Sequence, residues 1–136
     1  IQAQVLDLMN NLKKEFKTSM LLITHDLGIV AETCDEVAIM YAGEIVEYGL
    51  LEHIFENAKH PYTIGLFGSI PSLNKDVDRL SPIQGLMPDP TDLPDGCKFQ
   101  ARCDYVCPDC MEKAPEYAEI EPGHFVRCSR VAKGEI

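Results

Sequence analysis

No stretch of the 136 residues approaches the roughly 18 consecutive apolar residues that a membrane-spanning helix requires. A basic leader followed by a short apolar core, the mark of a secretory signal, is also absent. These two absences lead us to expect a soluble chain that works in the cytoplasm. Basic residues are scarce: 12 Lys and Arg stand against 22 Asp and Glu, a net charge of −10, which repels nucleic acid and anionic lipid surfaces. Nucleic acid is therefore not expected as a partner. Cysteine is almost missing from the front of the chain, where Cys34 stands alone, and five of the six lie from Cys97 onward. In a cytosolic protein, cysteines grouped in this way read as metal-binding or redox residues and not as a disulfide framework.

The length suits one ordinary domain, or one truncated domain with a small appendix. The chain opens on Ile1, already inside an amphipathic pattern, so we expect the natural polypeptide to begin upstream. Val5, Leu8, Met9, Leu12 and Phe16 recur at helical spacing, which predicts a helix over 1–17. Met20 to Thr24 reads as a buried strand, and Leu27 to Thr33 as a short helix that Asp26 can N-cap. Cys34 then falls as a small buried residue at that helix's end. Glu36 to Tyr41 and Ile45 to Gly49 flank Ala42-Gly43-Glu44, which predicts a β-hairpin. Glu52 to Asn57 is expected to be helical. Pro61 suits the first turn of a further helix, with Tyr62, Leu66 and Phe67 as its buried stripe and an end near Ile70. A proline-rich linker or wrapping arm, 71–96, separates this part from a cysteine-rich module, 97–136, in which Met111 to Tyr117 adds a helical turn and Phe125 to Cys128 a strand. The expected fold class is α/β, in the order helix, strand, helix, strand, hairpin, followed by an irregular extension.

Met20 to Thr24 ends on the polar step Thr24-His25-Asp26. An imidazole there sits at the carboxyl end of a strand, where ligands of open α/β sheets bind, and it offers one donor and one acceptor to a phosphate oxygen or a water. The competing reading is a histidine that only satisfies backbone groups at a strand end. In the module, Cys97, Cys103, Cys110 and Cys128 are separated by 5, 6 and 17 residues, and Cys107-Pro108-Asp109-Cys110 adds one close pair. Four thiolates suit an iron–sulfur cluster or a tetrahedral zinc ion, and the spacing does not choose between them. Free thiols or disulfides are the third possibility. For the other histidines the plain readings are a solvent-exposed His53, His60 at a helix start, and His124 hydrogen-bonded within the cysteine module. Glu32, Asp35 and Glu36 read as a solvated face.

The segment Leu21-Leu22-Ile23-Thr24-His25-Asp26-Leu27, followed by Cys34 to Gly49, resembles the switch-histidine segment and hairpin of ATP-binding-cassette ATPases. His60-Pro61-Tyr62-Thr63, Pro94-Asp95-Gly96-Cys97-Lys98-Phe99, Ala101-Arg102-Cys103 and Pro122-Gly123-His124-Phe125-Val126-Arg127-Cys128 resemble the carboxyl-terminal extension of the oligopeptide, dipeptide and nickel importer ATPases. The resemblance implies that residues 1–70 are the carboxyl-terminal part of a P-loop ATPase domain. In it, His25 is the switch histidine that contacts the γ-phosphate and orients the attacking water. It further implies ATP and Mg²⁺ as cofactors of the parent protein, and a [4Fe–4S] cluster held by Cys97, Cys103, Cys110 and Cys128, a pattern from which Cys107 departs. The implied partners are a second ATPase subunit and the permease subunits, at the inner face of the cell membrane.

No Gly-x-x-x-x-Gly-Lys-Ser/Thr loop occurs in the chain, nor a glycine-rich signature, nor a strand ending in an Asp-Glu pair. Without the loop's backbone N–H groups and lysine, the phosphates have no cradle, so the chain by itself is expected to be inactive as an ATPase. The uncovered apolar faces of the first helix and of Met20 to Thr24 predict a homodimer or higher oligomer. Two readings of other classes compete: a cytosolic iron–sulfur or zinc-binding regulatory module, and a structural interaction domain with free thiols.

Overall fold

The computed structural model describes residues 1–70 and 82–136. The stretch 71–81 of the expected proline-rich arm therefore lies outside the described residues. The chain divides into two compact units, 1–35 and 36–136.

In the first unit, helix α1 spans Gln2–Phe16 and stops at Lys17, whose left-handed φ of 50° ends the helical path. Lys13 and Lys14 lie in its last turn, where the helix dipole favours positive charge. Lys13 also reaches Asp35 at 2.9 Å, a surface pair of small energetic weight. Val5, Leu8, Leu12 and Phe16 form the expected stripe but are exposed. Helix α2, Leu27–Thr33, forms where expected, with Asp26 Oδ1 accepting the Gly28 N–H at 2.9 Å and the Ile29 N–H at 3.2 Å. Cys34 is its half-buried C-cap.

Met20 to Thr24, expected to be a buried strand, is no strand, and Leu21 and Ile23 are 89% and 91% exposed. A strand exists only through ladder partners, and an apolar run signals a wish for burial without supplying a neighbour. Among the described residues no strand pairs with it.

The second unit is built on a four-stranded antiparallel sheet in the order β1-β2-β4-β3. Strands β1, Glu36–Tyr41, and β2, Glu44–Leu50, are the expected hairpin. Ala42 and Gly43, with φ of 47° and 81°, supply the two left-handed positions of a type I′ turn. Along β1 the buried side chains alternate: Val37, Ile39 and Tyr41 face inward. Helix α3, Leu51–Glu56, follows directly and buries Ile54 completely. Helix α4, Pro61–Gly68, begins on Pro61 as expected. Its fully buried residues are Pro61 and Thr63, while Tyr62, Leu66 and Phe67 are only half-buried. Tyr62 joins Tyr41 and Phe99 in an aromatic cluster with ring centroids 4.7 to 5.6 Å apart, and Phe67 packs on Phe55 at 4.9 Å.

Residues 82–85, within the described part of the proline-rich arm, form no strand. Arg102 holds them, donating to the Gln84 and Ile83 carbonyls at 3.0 and 3.3 Å. Beyond a 3₁₀ turn at Gln100–Arg102 come α5, Pro108–Glu112, then β3, Ala118–Glu121, β4, His124–Val126, and α6, Ser129–Ala132. The helical turn expected over 111–117 thus lies earlier, where Pro108 starts it. The strand expected over 125–128 is β4, shifted by one to two residues. Strand β4 lies against β2 through Glu47 opposite Val126 and Tyr48 opposite Phe125.

Candidate functional site

His25 stands in the bend just before the Asp26 cap of α2 and is solvent-exposed. The Thr24 hydroxyl accepts the Asp26 N–H at 3.1 Å, so the two residues flanking His25 are tied to each other.

Nothing in the local pattern marks Glu47 as central to the second unit. It alternates with apolar neighbours in β2, and only the sheet shows that its side chain is 0% exposed. A buried carboxylate needs donors, and Glu47 has three: the Lys59 N–H at 2.8 Å, the His60 N–H at 3.0 Å and His124 Nε2 at 2.8 Å. One side chain thereby joins β2, the loop before α4 and β4. His124 thus finds its partner on the hairpin and not within the cysteine module as expected. Its other ring nitrogen is buried without a hydrogen bond, with Glu121 Oε2 3.9 Å away. His53, expected to be solvent-exposed, is half-buried and stacks on His124 with ring centroids 5.0 Å apart.

His60 does stand at the helix start. Its Nδ1 accepts the Tyr62 N–H at 3.1 Å, so the ring caps α4. Burial lowers its pKa to about 4, opposed by a hydrogen bond to the Arg127 backbone. An imidazole kept neutral in the folded state must take up a proton on unfolding below about pH 6.5. Its contribution is therefore complete above that pH and is lost as pH falls from about 6.5 to about 4. This amounts to about 3 kcal/mol. In urea unfolding at pH 7 and pH 4.5, the wild type should lose stability over that window more steeply than His60→Asn, in which the side chain still caps but does not titrate. Equal slopes would refute this account.

All four cysteines singled out by spacing line one small apolar cavity, together with His60 and Phe99. Cys97 precedes the 3₁₀ turn and Cys103 follows it, Cys110 lies in α5, and Cys128 is the N-cap of α6. The Cys97 N–H donates to the Cys110 carbonyl at 2.7 Å, which fastens two of the segments together. Burial raises the thiol pKa of Cys97, Cys103 and Cys110, that of Cys103 to about 11, and the neighbouring cysteines push in the same direction. Such thiols stay protonated unless a positive centre stabilises the thiolates. Cys107 is absent from the lining, and its Sγ lies 3.3 Å from that of Cys110.

Among the described residues, no three His, Cys, Asp or Glu side chains converge closely enough to hold one metal ion. The four cysteines therefore ring a space without meeting at a point. A tetrahedral zinc ion, with sulfur at about 2.3 Å, does not fit this spread. Soft sulfur donors in an apolar surround fit a multi-iron cluster in chemical type. The free volume, about 10 Å³, is that of one water, so the cysteine loops must part to admit one.

Residues 46–110 match the family described as the oligopeptide/dipeptide transporter, C-terminal region. Over 128 residues, 94% of the chain, it is 45% identical to the oligopeptide transport ATP-binding protein AppD of Bacillus subtilis. It is 44% identical over the same length to oligopeptide transport ATP-binding protein OppD of Haemophilus influenzae. Identity to dipeptide transport ATP-binding protein DppD of Lactococcus lactis is 46% over 127 residues. The chain spans only 39%, 39% and 36% of the lengths of these three relatives. Over nearly its whole length the chain is thus similar to part of the ATP-binding proteins of oligopeptide and dipeptide transport, and residues 46–110 match the C-terminal region of that transporter family.

Proposed function

We propose that the chain is the carboxyl-terminal part of the ATP-binding subunit of an importer for di- or oligopeptides, whose parent protein couples ATP hydrolysis to transport. The observation that carries this reading is the 42–46% identity, over nearly the whole chain, to proteins named as peptide-transport or peptide-import ATP-binding proteins. In this reading, residues 1–70 complete an ATPase domain, 71–96 connect it, and 97–136 form the transporter extension. A second ATPase subunit and the permease subunits are its partners, at the inner face of the membrane. Among the described residues no helix is long and apolar enough to cross a membrane, in keeping with a peripheral subunit.

His25 is the residue we assign to the reaction. Phosphoryl transfer depends on positioning and charge stabilisation more than on covalent chemistry. An exposed imidazole set by a helix cap on its carboxyl side can hold the γ-phosphate and a water once the phosphate-binding elements surround it. In the complete ATP-binding protein, His25→Ala should lower ATP turnover by about a hundredfold or more while nucleotide binding persists. The 136-residue chain should release no phosphate from ATP. Unchanged turnover in the variant, or hydrolysis by the chain itself that His25→Ala abolishes, would overturn the assignment. The exposed stripe of α1 supports self-association of the chain, and a monomer in light scattering would contradict it.

Cys97, Cys103, Cys110 and Cys128 are the residues that would hold a [4Fe–4S] cluster in the extension. Bound there, the cluster would supply the positive centre that the raised thiol pKa values of Cys97, Cys103 and Cys110 call for and would cross-link four separate segments of the module.

A further inference from the structure

Cys107 has no part in the reading above, yet it is the cysteine with the closest thiol neighbour among the described contacts. Its Sγ lies 3.3 Å from Cys110 Sγ, the two residues span the first turn of α5, and the Cys110 N–H donates to the Cys107 carbonyl at 3.0 Å. That backbone bond fixes the separation of the two Cβ carriers. A disulfide bond is about 2.05 Å long, so the sulfurs need to close by only about 1.3 Å, a side-chain adjustment. The two thiols differ in access: Cys110 is buried against the cavity, whereas Cys107 is only half-buried and stands outside the lining.

We propose that Cys107 and Cys110 are a reversible dithiol–disulfide pair, with Cys107 the thiol that meets the oxidant and Cys110 the one that resolves it. The oxidant is a small disulfide of the glutathione class. Cys107 Sγ, giving up its proton, attacks one sulfur of that disulfide and one small thiol leaves. Cys110 Sγ, giving up its proton in turn, attacks Cys107 Sγ and displaces the second small thiol. Two protein thiols are oxidised to one protein disulfide and one small disulfide is reduced to two thiols, so electrons and protons balance. The consequence reaches the neighbouring cavity, because Cys110 is the one cysteine common to the pair and to the four-thiol ring. Oxidation removes it from the ring. Any effect on a cluster rests on the preceding proposal; the pair itself does not.

The test is a count of free thiols by alkylation under denaturing conditions, after the 136-residue chain has been incubated with oxidised glutathione and the excess removed. The wild type should fall from six reactive thiols to four with no glutathione attached, and reduction should restore six. Cys103→Ser, whose cysteine lies outside the pair, should still lose two. Cys107→Ser should lose none, whereas Cys110→Ser should retain glutathione on Cys107, trapped at the first step. A wild type that keeps six thiols would overturn the proposal. So would one that accumulates glutathione adducts without losing a pair, or a loss of two that persists in Cys107→Ser.

Discussion

Glu47→Ala is expected to cost about 3–5 kcal/mol in urea unfolding, a large share of the roughly 5–15 kcal/mol that holds a domain of this size together. Removing the carboxylate deletes one acceptor and strands three donors, the Lys59 and His60 N–H groups and His124 Nε2, all drawn toward a space that water does not reach. The penalty for buried donors left without partners exceeds the net worth of the bonds themselves. Glu47→Gln keeps an oxygen for the backbone donors but turns an amide N–H₂ toward one of them, so it should cost less, about 1–3 kcal/mol. A loss of under about 1 kcal/mol in the alanine variant would show that the three donors find other partners.

Gly96→Ala should be as damaging, for a different reason. A Cβ at this position would lie 2.2 Å from the Cys110 carbonyl oxygen and within 3 Å of the Met111 carbonyl carbon and oxygen. All three are backbone atoms, which no rotamer change can move aside. The chain must part where the Cys97 N–H meets the Cys110 carbonyl at 2.7 Å, and α5 must shift. Overpacking against rigid atoms costs about 1–3 kcal/mol, and more where the backbone has to move. The variant should melt at lower temperature, and its Cys110 should react faster with an alkylating reagent under native conditions than the buried wild-type thiol. A variant with wild-type melting and unchanged Cys110 reactivity would mean that the approach of Gly96 to α5 is not a constraint.

These two residues mark the limit of what pattern reading reaches. Local signals were legible: Asp26 before α2, Pro61 at the start of α4, and Ala42-Gly43 between two β-rich runs each specify their own few residues, and each element formed there. The grouping of Cys97, Cys103, Cys110 and Cys128 was legible too, since thiols in an otherwise cysteine-poor chain announce themselves, and they line one cavity. What failed was anything set by partners distant in sequence. Met20 to Thr24 has the composition of a buried strand, but composition cannot say whether a ladder partner lies beside it. Nothing local marks Glu47, because its donors come from residues 12 to 77 positions away. His124 reads as a partner of its neighbours in the chain, whereas its hydrogen-bond partner Glu47 lies across the sheet. Gly96 gave no signal because its requirement is space beside α5 and not a left-handed φ.

The pairing of β4 with β2 has a consequence for the order of synthesis. His124 follows Glu47 by 77 residues, so a ribosome adding about 5–20 residues per second needs about 4–15 s to deliver the strand that covers β2. During that interval the β1–β2 hairpin, which forms within microseconds, presents a bare row of N–H and C=O groups and an unanswered acid. Such an edge invites strands from other nascent chains. Slower elongation through the proline-rich stretch, or truncation before residue 124, should therefore raise the yield of aggregates even though the hairpin itself is intact.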